Sequence, residues 1–102
     1  MTALGLAALA TEAAAAAPGT IARSEGATTT WTAAGKPIVV LSSDAIEFRL
    51  DAVIGAAARR TPDTTTSARG EEWVTFRPAE IDQYAEDRIR AWFGAAYRRA
   101  SA

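Results

Sequence analysis

Cysteine and histidine are both absent from this 102-residue chain, and with them go most of the side chains that enzymes use. Without cysteine there is no disulfide, no thiolate nucleophile and no Cys-based metal site, and the redox compartment is left open. Without histidine there is no Ser-His-Asp triad, no imidazole base and little means of building a structural zinc site. The acids and bases that remain are carboxylates, two tyrosines and one lysine. We therefore expect a protein that is not an enzyme and that holds no cofactor.

An excess of positive charge is also lacking. The formal net charge is −1 and the sequence pI is about 5.4. Proteins that bind nucleic acids usually carry a basic face or an elevated pI. A local basic patch would still be compatible with this balance, but the net charge does not support nucleic acid as the partner.

Long apolar runs are missing as well. No segment approaches the roughly 20 apolar residues of a membrane span, so we expect no membrane partner. Residues 3–10 are small and apolar, and Ala8-Leu9-Ala10 resembles a signal-peptidase site. However, no basic residue precedes this run, and Glu12 interrupts the small residues after it. We interpret the segment as an ordinary first helix and expect a cytoplasmic protein.

Apolar sequence is nevertheless sufficient for one core. Apolar residues make up 49% of the composition, and 102 residues is the usual size of one domain. A domain of this size buries about 60% or more of its unfolded surface. We therefore predict a single domain over residues 1–102.

The hydrophobic period changes along the chain and predicts an α+β fold. A helix is predicted from Thr2 to Ala17, where Pro18-Gly19 ends it. Strand-like alternation or β-branched runs, separated by turn residues, follow in the segments 28–33, 38–41, 46–50 and 72–76. The segment Ile21–Ser24, followed by the Glu25-Gly26 turn, is an optional further strand in front of them. Pro78 begins the first turn of a closing amphipathic helix. The predicted order is α-β-β-β-α-β-α, with an antiparallel sheet made of a three-stranded meander plus one later strand, and helices packed on one face.

One segment, Asp44 to Arg60, has two interpretations. Its apolar spacing fits a single long helix that Asp44 would cap. That helix would place Phe48 in solvent, whereas alternation up to Leu50 places Phe48 in the core. We predict a strand to Leu50, followed by a short helix that Asp51 caps.

The order of elements resembles that of the MmcQ/YjbR-like family of small bacterial proteins. The resemblance rests on the hairpin Trp31-Thr32-Ala33-Ala34-Gly35-Lys36-Pro37, the strand that starts with Trp73-Val74, and the aromatic closing helix that ends in Ala96-Tyr97. It implies a frataxin-type fold and a DNA-binding role, and it brings no catalytic residues. The Thr-rich loop and the lack of a clearly basic face depart from the family pattern.

The polar segment from Thr61 to Gly70 is predicted to be a loop, and it is a candidate anion-binding site. Guanidinium and hydroxyl groups together can hold a phosphate or carboxylate. The candidate residues are Arg59, Arg60, Thr64, Thr65, Thr66, Ser67 and Arg69. Arginines at the end of a helix also compensate its dipole, which is the alternative explanation for Arg59 and Arg60.

The sheet face opposite the helices is a candidate interface. Alternation places Glu47 on that face together with the candidate interface residues Arg49, Trp73 and Arg77. A Trp exposed beside Arg is typical of interfaces and of base-stacking platforms. The alternative is an ordinary solvated face on which the polar loop partly covers Trp73.

The acidic residues of the closing helix do not predict a metal site. Calcium loops place oxygen ligands at alternate positions around a glycine turn, and this pattern is absent. The residues are Glu80, Asp82, Glu86 and Asp87. We interpret them as the solvated side of the helix, with Glu86 and Arg90 forming a helical ion pair.

Taken together, these features favour a non-catalytic binding module that acts through contact with another protein or through homodimerisation. DNA binding of the MmcQ/YjbR type and small-anion binding at the Thr-rich loop are the alternatives.

Overall fold

The structure is a computed structural model that describes residues 2–101, with the side chains of residues 5–101, and this part of the chain forms three helices and six strands. In chain order the elements are α1 (Thr2–Ala15), β1 (Ile21–Glu25), β2 (Thr28–Ala33), β3 (Lys36–Leu41), β4 (Ile46–Arg49), α2 (Ala52–Arg59), β5 (Thr64–Ser67), β6 (Gly70–Phe76) and α3 (Gln83–Ser101). The predicted α+β class is confirmed. Two further strands, β1 and β5, extend the predicted set of four.

All six strands of the described chain form one antiparallel sheet in the order β1-β2-β3-β4-β6-β5. The first four strands make a meander, in which each strand pairs with the next one. Both β4 and β5 pair antiparallel with β6, so they run parallel to each other, and α2 connects them across β6. Strands β1 and β5 are consequently the two edges of the sheet.

Two-residue turns close the first two hairpins. Gly26 has φ 60° and begins the turn between β1 and β2, as a type II′ turn requires. Ala34 and Gly35 have φ values of 53° and 77°, which correspond to a type I′ turn between β2 and β3. Such turns twist in the same sense as the strands that they join, so they set the register of the residues next to each turn; the β2–β3 register then shifts once, between Trp31 and Thr32.

The change of period near residue 50 is confirmed. Strand β4 ends at Arg49, Phe48 is fully buried, and the alternative of one helix from Asp44 to Arg60 is wrong. Asp51 caps α2 as predicted, because its carboxylate Oδ1 accepts a hydrogen bond from the backbone N–H of Ile54 at 2.9 Å.

The core lies between the helices and one face of the sheet. Cross-strand pairing places Trp31, Val39, Phe48 and Val74 side by side on that face. All three helices contribute buried residues to the same cluster, so they pack on one face of the sheet, as predicted. The ring of Trp92 makes edge-to-face contacts with the rings of two core phenylalanines, at centroid distances of 5.8 and 5.4 Å.

Two predicted boundaries are wrong. The segment from Thr61 to Gly70 is not a loop throughout, because Thr64–Ser67 pairs with β6 as an edge strand. The closing helix begins at Gln83 rather than near Pro78. Asp82 sets that start: its side chain accepts a hydrogen bond from the backbone N–H of Ala85 at 2.9 Å, as a helix cap does.

Candidate functional site

The sheet face opposite the helices, called here the open face, carries a row of directly paired residues. The row runs Val40, Glu47, Thr75 and Thr65 across four adjacent strands. None of these residues belongs to the hydrophobic cluster beneath the helices. A carboxylate therefore lies at the centre of this face.

Glu47 accepts hydrogen bonds from three side chains. Arg69 Nε donates to its Oε1 at 2.7 Å, Thr75 Oγ1 donates to its Oε2 at 3.1 Å, and the Ser67 hydroxyl donates to the same Oε2. The Glu47 side chain keeps only 16% of its surface exposed. Burial alone raises the pKa of Glu47, but the three hydrogen bonds and the positive charge of Arg69 outweigh it, so the pKa is lowered.

The residues predicted to bind an anion are only partly brought together. Arg69 Nε and the Ser67 hydroxyl both donate to Glu47, so an acidic side chain already offsets the charge of Arg69. Thr64 is buried and its hydroxyl bonds locally, to Thr61 and to the carbonyl of Pro62.

Some of the other candidate anion-binding residues line a cavity beside the β5–β6 hairpin. It has a volume of about 380 Å³ and its lining includes Arg59, Thr66, Ser67, Glu71 and Trp73. Arg60, at the end of α2, and Thr65, on the exposed edge of β5, are not part of that lining. One arginine and one glutamate therefore offset each other there, and the cavity shows no excess of positive charge.

The three candidate interface residues do not form the predicted exposed patch. Trp73 is only 9% exposed, so the prediction of an exposed tryptophan on this face is wrong. The guanidinium carbon of Arg69 lies 5.8 Å from the centre of the Trp73 ring, a cation–π arrangement that covers the ring. Arg49 pairs with Glu72 and Arg77 with Asp44, each at 3.4 Å, towards different parts of the surface.

The arginines as a whole are dispersed. Five of the ten take part in ion pairs with carboxylates from several elements, namely Arg49, Arg69, Arg77, Arg90 and Arg99. Arg88 instead lies over the Tyr84 ring at 4.8 Å. A broad basic face of the kind that follows a nucleic-acid backbone is not assembled by residues 5–101.

The acidic residues near the start of α3 have structural partners. Asp82 caps the helix, and Glu86 pairs with Arg90 at 3.3 Å as predicted. Within residues 2–101, no group of three acidic side chains is arranged to hold a metal ion. In the same range, no helix combines the length and the apolar character needed to cross a membrane.

The edge strand β1 has only a weak signal in the sequence. All five of its residues are exposed, and the side chain of Ile21 is 68% exposed. The signal in the sequence was the pair of segments on either side of the Glu25-Gly26 turn, which a hairpin requires. The absence of an apolar alternation in Ile21–Glu25 obscured it.

Comparison with protein-family models, with curated proteins and with solved structures finds no match to this chain. The resemblance to the MmcQ/YjbR-like family therefore stays a prediction that rests on the sequence motifs. The geometry of the described residues is consequently the basis for any functional proposal.

Proposed function

We propose that this chain is a non-catalytic binding module whose partner is a second copy of itself, joined through the outer edge of β1. The observation that carries the proposal is that β1 is exposed at every residue and forms a regular ladder with β2 on one side. An edge of this kind presents unpaired N–H and C=O groups with which another strand can pair.

The backbone geometry of the first hairpin identifies which groups face outward. The turn after β1 has two residues, so the pair beside it, Glu25 with Thr28, is hydrogen-bonded, and bonded pairs then alternate with unbonded ones. Ala22 and Ser24 fall at unbonded positions. Their backbone N–H and C=O groups therefore point away from β2, where a second strand would accept and donate.

The charges of β1 are complementary to those of a second β1. Arg23 and Glu25 are two residues apart and so lie on the same face of the strand. If two copies pair antiparallel with Ser24 opposite Ser24, Arg23 of each copy lies opposite Glu25 of the other. This register gives two cross-strand pairs of opposite charge, which favour the association.

The surroundings of the strand leave room for a partner. A cavity of about 490 Å³ lies between α1 and β1, and the side chains that α1 contributes to its lining are all small. They are Ala7, Thr11, Ala14 and Ala15. The lining also includes Thr29, Trp31 and Leu41, so the cavity lies over the helix-facing side of β1–β3. The outer edge of β1 itself is exposed at every residue and is free for a second strand.

The opposite edge of the sheet is less suitable. Strand β5 has four residues, and its pairing with β6 shifts register between Thr66 and Ser67. Such bulges are a common means of protecting an edge from further pairing. The proposal is therefore specific to β1.

Charge exchange tests both the surface and the register. We expect wild-type protein to show a monomer–dimer equilibrium in sedimentation equilibrium experiments. Arg23→Glu and Glu25→Arg should each raise the dimer dissociation constant about tenfold or more, because each places like charges opposite each other twice. The double variant Arg23→Glu/Glu25→Arg restores opposite charges and should restore the wild-type constant.

Two results would contradict the proposal. One is a wild-type chain that remains monomeric at millimolar concentration. The other is a double variant that associates no better than the single ones, since this would exclude the register with Ser24 opposite Ser24. Arg60→Glu, a charge reversal on an exposed residue outside β1, is the matched control and should leave the constant unchanged.

The two alternative functions have weaker support. DNA binding of the MmcQ/YjbR type needs cations that converge, whereas half of the arginines pair with carboxylates. Anion binding at the Thr-rich segment needs positive charge that is not already offset, whereas the Glu47 carboxylate offsets the charge of Arg69. A dimer through the open face would lack the exposed tryptophan predicted for that interface, because Trp73 is buried.

A further inference from the structure

Three cations from separate parts of the sequence meet at one end of the molecule. Lys36 begins β3, Arg49 ends β4, and Arg99 lies in the last turn of α3. They line a cleft of about 190 Å³, whose remaining lining residues are Ile38, Ala96 and Ala100. The cleft therefore combines a basic rim with an apolar floor.

Only one carboxylate bonds to this cluster among the described residues. The Arg49 Nη2 atom lies 3.4 Å from both carboxylate oxygens of Glu72, and Arg99 donates to Glu72 Oε1. Lys36 has no ion pair within residues 5–101. The described side chains thus place three positive charges against one carboxylate, and the partial negative charge of about half a unit at the C-terminus of α3 offsets only part of the excess.

Helix electrostatics explain part of the cluster but not all of it. A cation in the last turn of α3 is favoured by the partial negative charge of the helix C-terminus, which accounts for Arg99. Lys36 and Arg49 come from strands; Glu72 offsets the charge of Arg49, whereas Lys36 has no ion pair within residues 5–101. Placing them near Arg99 costs Coulomb repulsion, and an anion would relieve it.

We propose that the cleft formed by Lys36, Arg49 and Arg99 is a binding site for a small anion that carries a carboxylate or phosphate group. Guanidinium groups offer forked pairs of donors to such oxyanions, and the lysine adds a point charge. Each arginine uses one nitrogen for Glu72, so further donors of both remain for a ligand. The volume equals that of about six water molecules, which suits a small ligand.

The test is a titration of the protein with inorganic phosphate at constant ionic strength, followed by NMR. The amide resonances of Ile38 and Ala100 should shift with phosphate more than with chloride. Lys36→Gln should raise the phosphate dissociation constant about fivefold, the usual effect of one partly exposed ion pair. Arg98→Gln is the matched control, because Arg98 is exposed, lies next to Arg99 in the same helix and does not line the cleft.

A second variant tests whether the Glu72 carboxylate competes with the ligand for Arg49 and Arg99. Glu72→Gln removes the negative charge that both arginines contact, so it should tighten phosphate binding about fivefold. This expected gain separates a ligand site from a cluster that only stabilises the fold. A parallel titration with acetate shows whether the site prefers phosphate or carboxylate.

The proposal is overturned if neither phosphate nor acetate shifts the cleft resonances beyond the effect of chloride. It is also overturned if Arg98→Gln weakens binding as much as Lys36→Gln, because the attraction would then be a general property of the surface. Unchanged or weaker binding by Glu72→Gln would likewise contradict it.

Discussion

Glu47 shows how a single side chain can organise the open face, which is the sheet face opposite the helices. Its carboxylate accepts hydrogen bonds from Ser67 at the end of β5, from Arg69 in the β5–β6 turn and from Thr75 on β6. Arg69 in turn covers the ring of Trp73. One acidic side chain therefore fixes the hairpin of the second edge strand onto the meander.

Replacing Glu47 by glutamine should destabilise the fold and change its pH dependence. Hydrogen bonds to a charged group contribute about 1.5–3 kcal/mol each, and the amide keeps part of them, so we expect a loss of about 1–3 kcal/mol at pH 7. Because the pKa of Glu47 is lowered in the folded state, its stabilisation is complete above the ordinary value of 4.5 and is lost as the pH falls through the folded value. Urea unfolding at several pH values measures both effects.

Glu71→Gln serves as the control for this prediction, because Glu71 is an exposed glutamate on the same strand as Thr75. The stability difference between wild type and Glu47→Gln should shrink below pH 4.5, the ordinary pKa of a glutamate, whereas Glu71→Gln should follow the wild type throughout. A difference that stays constant down to about pH 2 would show that the charge of Glu47 has no part in the stabilisation.

The sequence predicts an individual side-chain contact only where its two residues are close along the chain. Asp51 and Ile54 are three residues apart, and the cap between them was predicted correctly. Glu47 and Arg69 are 22 residues apart. Their meeting depends on the order of β4, β6 and β5, so alternation placed Glu47 on the open face without identifying its partner.

At the scale of elements, the buried strands were predictable and the edge strands were not. Phe48 decided the segment around residue 50, because a helix would have exposed it and a strand buries it. An edge strand buries few side chains, so it needs no apolar alternation, and Thr64–Ser67 therefore looked like a loop. The β-branched threonines of β5 were a signal of strand propensity that the polar composition masked.

The type I′ turn between β2 and β3 allows an element-scale prediction. Ala34 adopts φ 53°, a left-handed conformation that costs alanine energy and that asparagine tolerates well. Ala34→Asn creates the Asn-Gly pair that such turns prefer, and we expect the free energy of unfolding to rise by about 0.5–1 kcal/mol. Thermal or urea unfolding measures it.

The matched variant is Ala34→Val, which places a β-branched residue in the same left-handed conformation. It should lower the stability, since such residues are genuine outliers at positive φ. If asparagine and valine have the same effect, the backbone conformation of this turn does not limit the stability of the meander.

At the scale of the whole molecule, opposite charges form local ion pairs instead of a broad surface of one sign. The net charge is −1, and ion pairs are distributed over both layers of the fold, from Glu12 with Arg90 to Asp44 with Arg77. Long-range steering of a polyanion is therefore weak. The two proposed recognition sites, the edge of β1 and the cleft around Lys36, both rely on short-range features.

The proposed self-association through β1 predicts a melting temperature that depends on protein concentration. A dimer that forms only from folded chains stabilises the fold by mass action, so wild-type protein should melt at higher temperature as its concentration rises. The rise should be smaller for Arg23→Glu, whose dimer is expected to dissociate more readily. The two charge pairs of the proposed register are exposed and subject to screening, so raising the salt concentration from about 0.05 to 0.5 M should reduce the concentration dependence. Differential scanning calorimetry over a hundredfold concentration range tests this. A melting temperature that is independent of concentration, or a dependence that Arg23→Glu retains in full, would place the contact elsewhere than β1.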